Sequence, residues 1–364
     1  MSDLDSCIED GEFLVLHEFV KVAKSKLSKE TWDYLIGGSE TETTFKRNRL
    51  ALDSLAFRPR VLRNVENIDT STILLDQKLR IPIILAPIGS MQDFVDGAGL
   101  VPTRAAARFG ILHMISSTCA PGLEEVAREV NYPKIFQLYI RGDQAWVDDH
   151  IRRAINEGYI GLCLTVDLDS YGRRERDLSK RYRTTSRRSA TAPEYQMRFS
   201  WDDIKRIKDK FEIPLVLKGI ATPEDGQIAV QHGIDVVYVS NHGGRQLDHG
   251  LGGADVLREI VSAIEGKAKV VFDGGIMRGT DVIKAIALGA DAVGLGRLQG
   301  IAAGAGGENG LIRMLEILEI EIQVCLRLLG VNTFADLDHS YLRMCSPIGL
   351  ANIFSAFPLI EEGY

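Results

Sequence analysis

Eight short apolar runs rich in β-branched residues recur along most of this chain, at 81–86, 111–116, 135–140, 160–166, 213–218, 235–240, 269–273 and 291–295. Their apolarity is continuous rather than alternating, which suits parallel strands covered on both faces. Stretches of helical spacing separate them, such as 144–157, 223–232 and 280–288. Several end in a glycine just before the next run (Gly110, Gly158, Gly233 and Gly289), where a left-handed helix cap belongs. Two junctions look alike, His232-Gly233-Ile234-Asp235 and Leu288-Gly289-Ala290-Asp291, as repeated βα units would. Eight such units predict an α/β fold, a (β/α)8 TIM barrel over 79–330, with a doubly wound open sheet as the alternative. The 364 residues then read as one domain, with a helical segment over 1–78 and an extension over 331–364.

A barrel of this kind carries its active site where the strands end, and polar residues gather there: Ser116, Gln137, Tyr139, Thr165, Asp167, Lys218, Ser240, His242 and Asp273. Lys218 closes the apolar run IPLVLK, and a charge beside a core needs a partner, which an anionic cofactor ring would supply. The sixth run leads into Ser240-Asn241-His242-Gly243-Gly244-Arg245-Gln246-Leu247-Asp248. Histidine moves protons near neutral pH and arginine forks a carboxylate, so the pair suits chemistry on the carbon next to an acid group. Asp273-Gly274-Gly275 and Gly294-Leu295-Gly296-Arg297 close the last two runs, the usual phosphate position of this fold. No GxGxxG follows the first strand, which removes support for a Rossmann nucleotide site.

A net charge of −7 gives no support for nucleic-acid binding. The five cysteines are widely spaced and the histidines lack ligand spacing, so neither a disulfide framework nor a metal site is expected. Reduced thiols, a polar N-terminus unlike a signal peptide and no bilayer-length apolar run predict a cytoplasmic protein with no membrane partner.

Several motifs then occur in a specific order: FRPR at 57–60, IPIILAP, FQLY at 136–139, LTVD at 164–167, GRRE at 172–175, LKGI at 217–220, SNHGGRQLD, FDGG and ALGADAV at 287–293. With them the chain strongly resembles the FMN-dependent α-hydroxy-acid oxidase and dehydrogenase family, which includes glycolate oxidase, lactate oxidase and mandelate dehydrogenase. The resemblance implies oxidation of a 2-hydroxy acid to a 2-oxo acid with FMN as two-electron acceptor. It implies His242 as base, Asp167 as partner of the resulting imidazolium, Tyr139 near the reacting oxygen, and Lys218 beside the flavin N1 and O2. Arg174 and Arg245 would hold the substrate carboxylate. Ala86, Pro87, Ser116, Gln137, Thr165, Ser240, Asp273, Gly275, Arg278, Gly296 and Arg297 would hold the cofactor. A small anionic substrate and a homotetramer are implied as partners.

The departures bear on substrate and acceptor. The family carries a substrate-binding tyrosine in its first helical segment, where His17-Glu18-Phe19-Val20 places Phe19. Met277 replaces an arginine of the phosphate site, leaving Arg278 and Arg297 for that role. Thr118 replaces a bulkier residue and enlarges the pocket, and Gly89 resembles the family's poorer oxygen users. The loop from Arg173 to Arg188 holds eight basic and two acidic residues, either a solvated face or a lid that steers an acidic substrate. These features leave open oxidation of an amine, an amino-acid-derived group or a peptide. A non-catalytic barrel scaffold is the remote alternative.

Overall fold

The computed structural model describes residues 13–188 and 194–363; the N-terminal residues through position 12, with Cys7, lie outside the described residues. Eight parallel strands appear within a few residues of each expected run: β1 (Ile83–Leu85), β2 (Leu112–Ser116), β3 (Ile135–Leu138), β4 (Gly161–Thr165), β5 (Leu215–Ile220), β6 (Val236–Val239), β7 (Lys269–Phe272) and β8 (Ala292–Leu295). They close in the order β7-β8-β1-β2-β3-β4-β5-β6. The decisive pairing is β8 on β1, with Val293, Gly294 and Leu295 opposite Ile83, Ile84 and Leu85, which excludes the open sheet.

Side chains fill the interior, as continuous apolar strands require. Ile84, Met114, Ile135, Val216, Val236 and Val271 are fully buried there, and a hairpin of Thr72–Leu74 and Gln77–Leu79 adds Leu74 and Leu79 to the same cluster. That cluster reaches the first residues of β2, β3, β6 and β8, so it plugs the barrel at the end opposite the polar residues. A second short sheet joins Leu55–Phe57 to Leu342–Met344 antiparallel, tying the residues before the barrel to those after it. Among the described residues no helix is long and apolar enough to cross a membrane.

Three helices precede the barrel: α1 (Leu16–Lys26), α2 (Lys29–Ile36) and α3 (Thr43–Asp53). α1 packs against the long helical stretch Arg297–Leu329, which kinks at Gly307. α2 begins where Ser28 accepts from the Thr31 amide (3.1 Å) and ends at Gly37, beside the barrel mouth. α3 is fixed by a buried ion pair, Arg49 to Asp281 at 2.7 Å, with Arg49 also bonding Asp53 and the Gly275 carbonyl, each at 2.5 Å. Breaking such a pair strands a buried charge, so α3 and the loop after β7 are held as one.

Tyr238 is the largest fully buried side chain of the barrel interior. It fits because β8 carries Gly294 opposite, where an added Cβ would sit 1.7 Å from the Tyr238 hydroxyl oxygen. Gly294→Ala is therefore expected to destabilise the fold by about 1–3 kcal/mol through overpacking. The same change in a Tyr238→Phe background should cost less in a thermal-unfolding comparison.

Candidate active site

The site is built on the bend that follows β5. Pairing with β6 shifts register between Lys218 and Ile220, and Gly219 between them adopts φ 119°. A Cβ on Gly219 would meet the Asp167 side chain at 2.7 Å, so the bulge lets the loop after β4 approach β5. The buried Lys218 ammonium donates to Ser240 Oγ (2.8 Å) and lies 3.3 Å from the Asp273 carboxylate, while Ser240 donates to Asp273 Oδ1 (2.6 Å). Burial opposes the lysine charge, but Asp273 and Asp167 outweigh it and hold the pKa above its ordinary value.

His242 follows β6 in a left-handed conformation, φ 56°, and Gly243 and Gly244 continue it at 65° and 73°. Such a φ is costly for a residue with a Cβ and persists only where the surroundings fix it. They do. The His242 amide donates to Ser240 Oγ (3.0 Å), and Gly244 lies so close to Phe45 that a Cβ would meet its backbone at 2.5 Å. Further on, Asp248 accepts from Thr41 N and Oγ1 and from Thr44 N at 2.7–3.0 Å, anchoring the loop to the start of α3. Those bonds outweigh burial and lower the Asp248 pKa to about 2.

The imidazole Nδ1 of His242 lies 3.0 Å from Asp167 Oδ1. An ionised carboxylate only accepts, so Nδ1 carries the hydrogen and Nε2 is left as the base. Burial lowers the His242 pKa, partly countered by Asp167; burial raises the Asp167 pKa, but His242 outweighs it and the net shift is downward. Both shifts favour a neutral imidazole beside a carboxylate.

One cavity at the strand ends is lined by Ala86, Pro87, Tyr139, Arg174, Lys218, His242, Arg245, Asp273, Gly275, Gly296 and Arg297, all expected from the sequence. Ser116, Gln137, Thr165 and Ser240 lie buried just beneath, at the ends of β2, β3, β4 and β6. Gln137 Nε2 donates to Thr165 Oγ1 (2.9 Å), but Gln137 Oε1 is buried with no partner among the described residues and can accept from a ligand N–H. Arg297 spends three donors on the carbonyls of Ile36, Gly37 and Gly243 at 2.7–3.2 Å, leaving two. Burial, then the charges of Arg245 and Arg174, push its pKa well down, a repulsion that a bound anion relieves. An unsatisfied acceptor, a buried cation and a glycine-lined cationic end together suit a polar ring bearing a phosphate.

Two expected site residues are elsewhere. Phe19 is fully buried between α1 and the long C-terminal helical stretch, its ring stacked on Phe13 at 3.9 Å, so it cannot touch a substrate. The tyrosine that the N-terminal helices bring to the cavity is Tyr34 on α2, with the Arg245 guanidinium 4.6 Å and the Arg174 guanidinium 5.7 Å from its ring centre. The case for an altered substrate class built on Phe19 therefore falls. Arg278 turns outward because its amide and that of Met277 both donate to Asp281 Oδ2 (3.0 Å each). Its guanidinium pairs with Glu321 (2.5 Å) and the Ala356 carbonyl, leaving Met277 on the cavity wall. Arg141, Tyr171, Arg187, Ile88, Phe94 and Leu168 also line the cavity and were not singled out. Arg141 and Tyr171 sit three and six residues past the strand ends Leu138 and Thr165, and Arg187 lies in the basic loop, where spacing carries no signal.

Residues 23–344 match the family described as FMN-dependent dehydrogenase. The chain belongs to this family. An L-lactate oxidase of a Nostoc species is 36% identical over 359 residues, covering 90% of this chain and 98% of the relative. Glycolate oxidase of Spinacia oleracea is 34% identical, covering 91% and 96%. Among solved structures, a mandelate oxidase with (S)-2-phenylpropionate superposes with a TM-score of 0.86 at 33% identity, covering 93% of this chain and all of that one. A soluble mutant of the membrane-associated (S)-mandelate dehydrogenase from Pseudomonas putida gives 0.87 at 30%, covering 92% and 100%. A mandelate oxidase mutant solved with an FMN adduct is a further match, and FMN is the cofactor of the family.

The lowered His242 pKa fixes the direction of the pH response. A base must be unprotonated to act, so activity rises as pH increases through its pKa. The acid limb of kcat/KM is expected below the ordinary histidine value of about 6.5. Asp167→Asn should lower kcat about 10²–10⁴-fold, since it removes the carboxylate that orients and stabilises the imidazolium.

Proposed function

We propose that residues 1–364 work as one catalytic unit that oxidises a 2-hydroxy acid to a 2-oxo acid, with His242 as the base. The observation that carries this reading is the His242–Asp167 pair at 3.0 Å in the same cavity as Arg174 and Arg245. When bound, FMN supplies the two-electron acceptor. Arg174 and Arg245 hold the substrate carboxylate, a planar anion matched to the guanidinium fork. Arg245 is braced for this by donating to the Tyr34 carbonyl (2.7 Å) and the Gly37 carbonyl (2.9 Å). Tyr139 stays protonated, its pKa raised by burial and by Asp167, and donates toward the reacting oxygen. His242 Nε2 takes up the substrate proton, and Asp167 balances the charge that results.

On the cofactor side, Gln137, Thr165, Ser116 and Ser240 would receive the ring edge and Lys218 would supply positive charge to it. Asp273, Gly275, Gly296 and Arg297 would hold the chain and phosphate. Two finer statements belong to the same proposal. Unpaired Cys119, Cys163, Cys325 and Cys345 support a reducing, cytoplasmic setting. Exposed Leu328, Ile348 and Leu350 support a homo-oligomer.

Mixing the FMN-loaded protein anaerobically with 2-hydroxy acids should bleach its absorbance, and His242→Ala should slow the bleaching by about 10²–10⁴-fold. Bleaching at the same rate in His242→Ala would remove the assigned base.

A further inference from the structure

The cavity holds more positive charge than FMN and a single carboxylate require. Besides Arg174 and Arg245, Arg141 and Arg187 line it. Arg141 follows β3, past Tyr139, and is partly buried. Burial lowers its pKa, and no carboxylate among the described residues pairs with it. Arg187 reaches in from the basic loop after β4 and stacks over Tyr171, its guanidinium carbon 3.8 Å from the ring centre. The same tyrosine carries Arg174 at 4.3 Å and bonds its Nη1. One carboxylate lies close, Asp177: burial raises its pKa, and the charges of Arg245, Arg174 and Arg187 offset only part of that rise.

The rest of the basic loop is spoken for. Arg176 pairs with Glu42 (2.6 Å), Lys180 with Asp33, and Arg173, Arg181, Arg183 and Arg188 face solvent. Arg174 and Arg187 are the members that turn inward to the cavity. Nor do Arg141 and Arg187 serve the cofactor phosphate. β3 and β7 are four places apart in a ring of eight, so the loop after β3 lies across the mouth from Gly275. With Asp177 and one substrate carboxylate set against Arg174 and Arg245, two guanidinium groups remain without an anion on the β3–β4 side. Leaving such charges partly desolvated and unmatched is costly.

We propose that the substrate is a 2-hydroxy acid carrying a second anionic group, a carboxylate or a phosphate, received by Arg141 and Arg187. This rests on the 2-hydroxy-acid reading above. The first carboxylate goes to Arg174 and Arg245 beside His242, and the second group extends toward the loops after β3 and β4.

The test is anaerobic reduction of the FMN-loaded protein by matched pairs: 2-hydroxyglutarate against 2-hydroxypentanoate, and 2-hydroxy-3-phosphopropanoate against lactate. One dianion is expected to exceed its monoanionic match at least about tenfold in limiting rate over apparent Kd, the scale of one charged hydrogen bond. Which pair shows it names the second anion. Arg141→Gln and Arg187→Gln should each collapse that ratio mainly through Kd, and Arg141→Lys should keep part of it; retained flavin absorbance shows that each variant is folded. Equal reduction by both members of each pair, or variants that weaken both members alike, would overturn this proposal and leave 2-hydroxy-acid oxidation standing. Reduction by neither kind would overturn both.

Discussion

A lysine charge buried at the centre of the strand ends organises this molecule. Lys218 is 4% exposed, and an ammonium so placed survives only with anions and acceptors around it. Asp273 and Ser240 meet that demand from the ends of β7 and β6, and Asp167 adds its charge from beyond β4. The bulge at Gly219 admits Asp167 to the group, and Asp167 in turn fixes His242. The His242–Asp167 pair and the Lys218 ammonium are thus two ends of one electrostatic cluster.

The N-terminal helices complete the site. Tyr34 and the carbonyls of Ile36 and Gly37 at the end of α2 bind Arg245 and Arg297, while α3 receives the loop after β6 through Asp248 and the loop after β7 through Arg49. The left-handed backbone at His242 is held by these contacts. A change in α2 or α3 therefore acts on Arg245 and Arg297, cavity residues far away in sequence.

The barrel was legible because parallel strands buried on both faces leave uninterrupted apolar runs, and because the helices between them stop at glycines with positive φ such as Gly110 and Gly289. Most of the cavity was legible too, since each residue sits at a strand end or in a motif. Phe19 was misplaced because the first two helices are both amphipathic, and only packing shows that α1 covers the long C-terminal helical stretch while α2 reaches the mouth. Arg278 was misread for a local reason: Asp281 captures two amides and rotates the side chain outward. Neither the Gly219 bulge nor the Tyr238–Gly294 fit leaves a periodic trace, as both are matters of shape between neighbouring strands.

The central claim is that the buried Lys218 charge serves the reduced, anionic cofactor. The most direct measurement is the two-electron reduction potential of bound FMN in the parent protein, in Lys218→Met and in Lys218→Arg. Loss of the charge should lower the potential by about 30 mV or more, each 30 mV of a two-electron couple being about 1.4 kcal/mol, and Lys218→Arg should retain most of the parent value. A Lys218→Met protein that binds FMN at an unchanged potential would contradict the account.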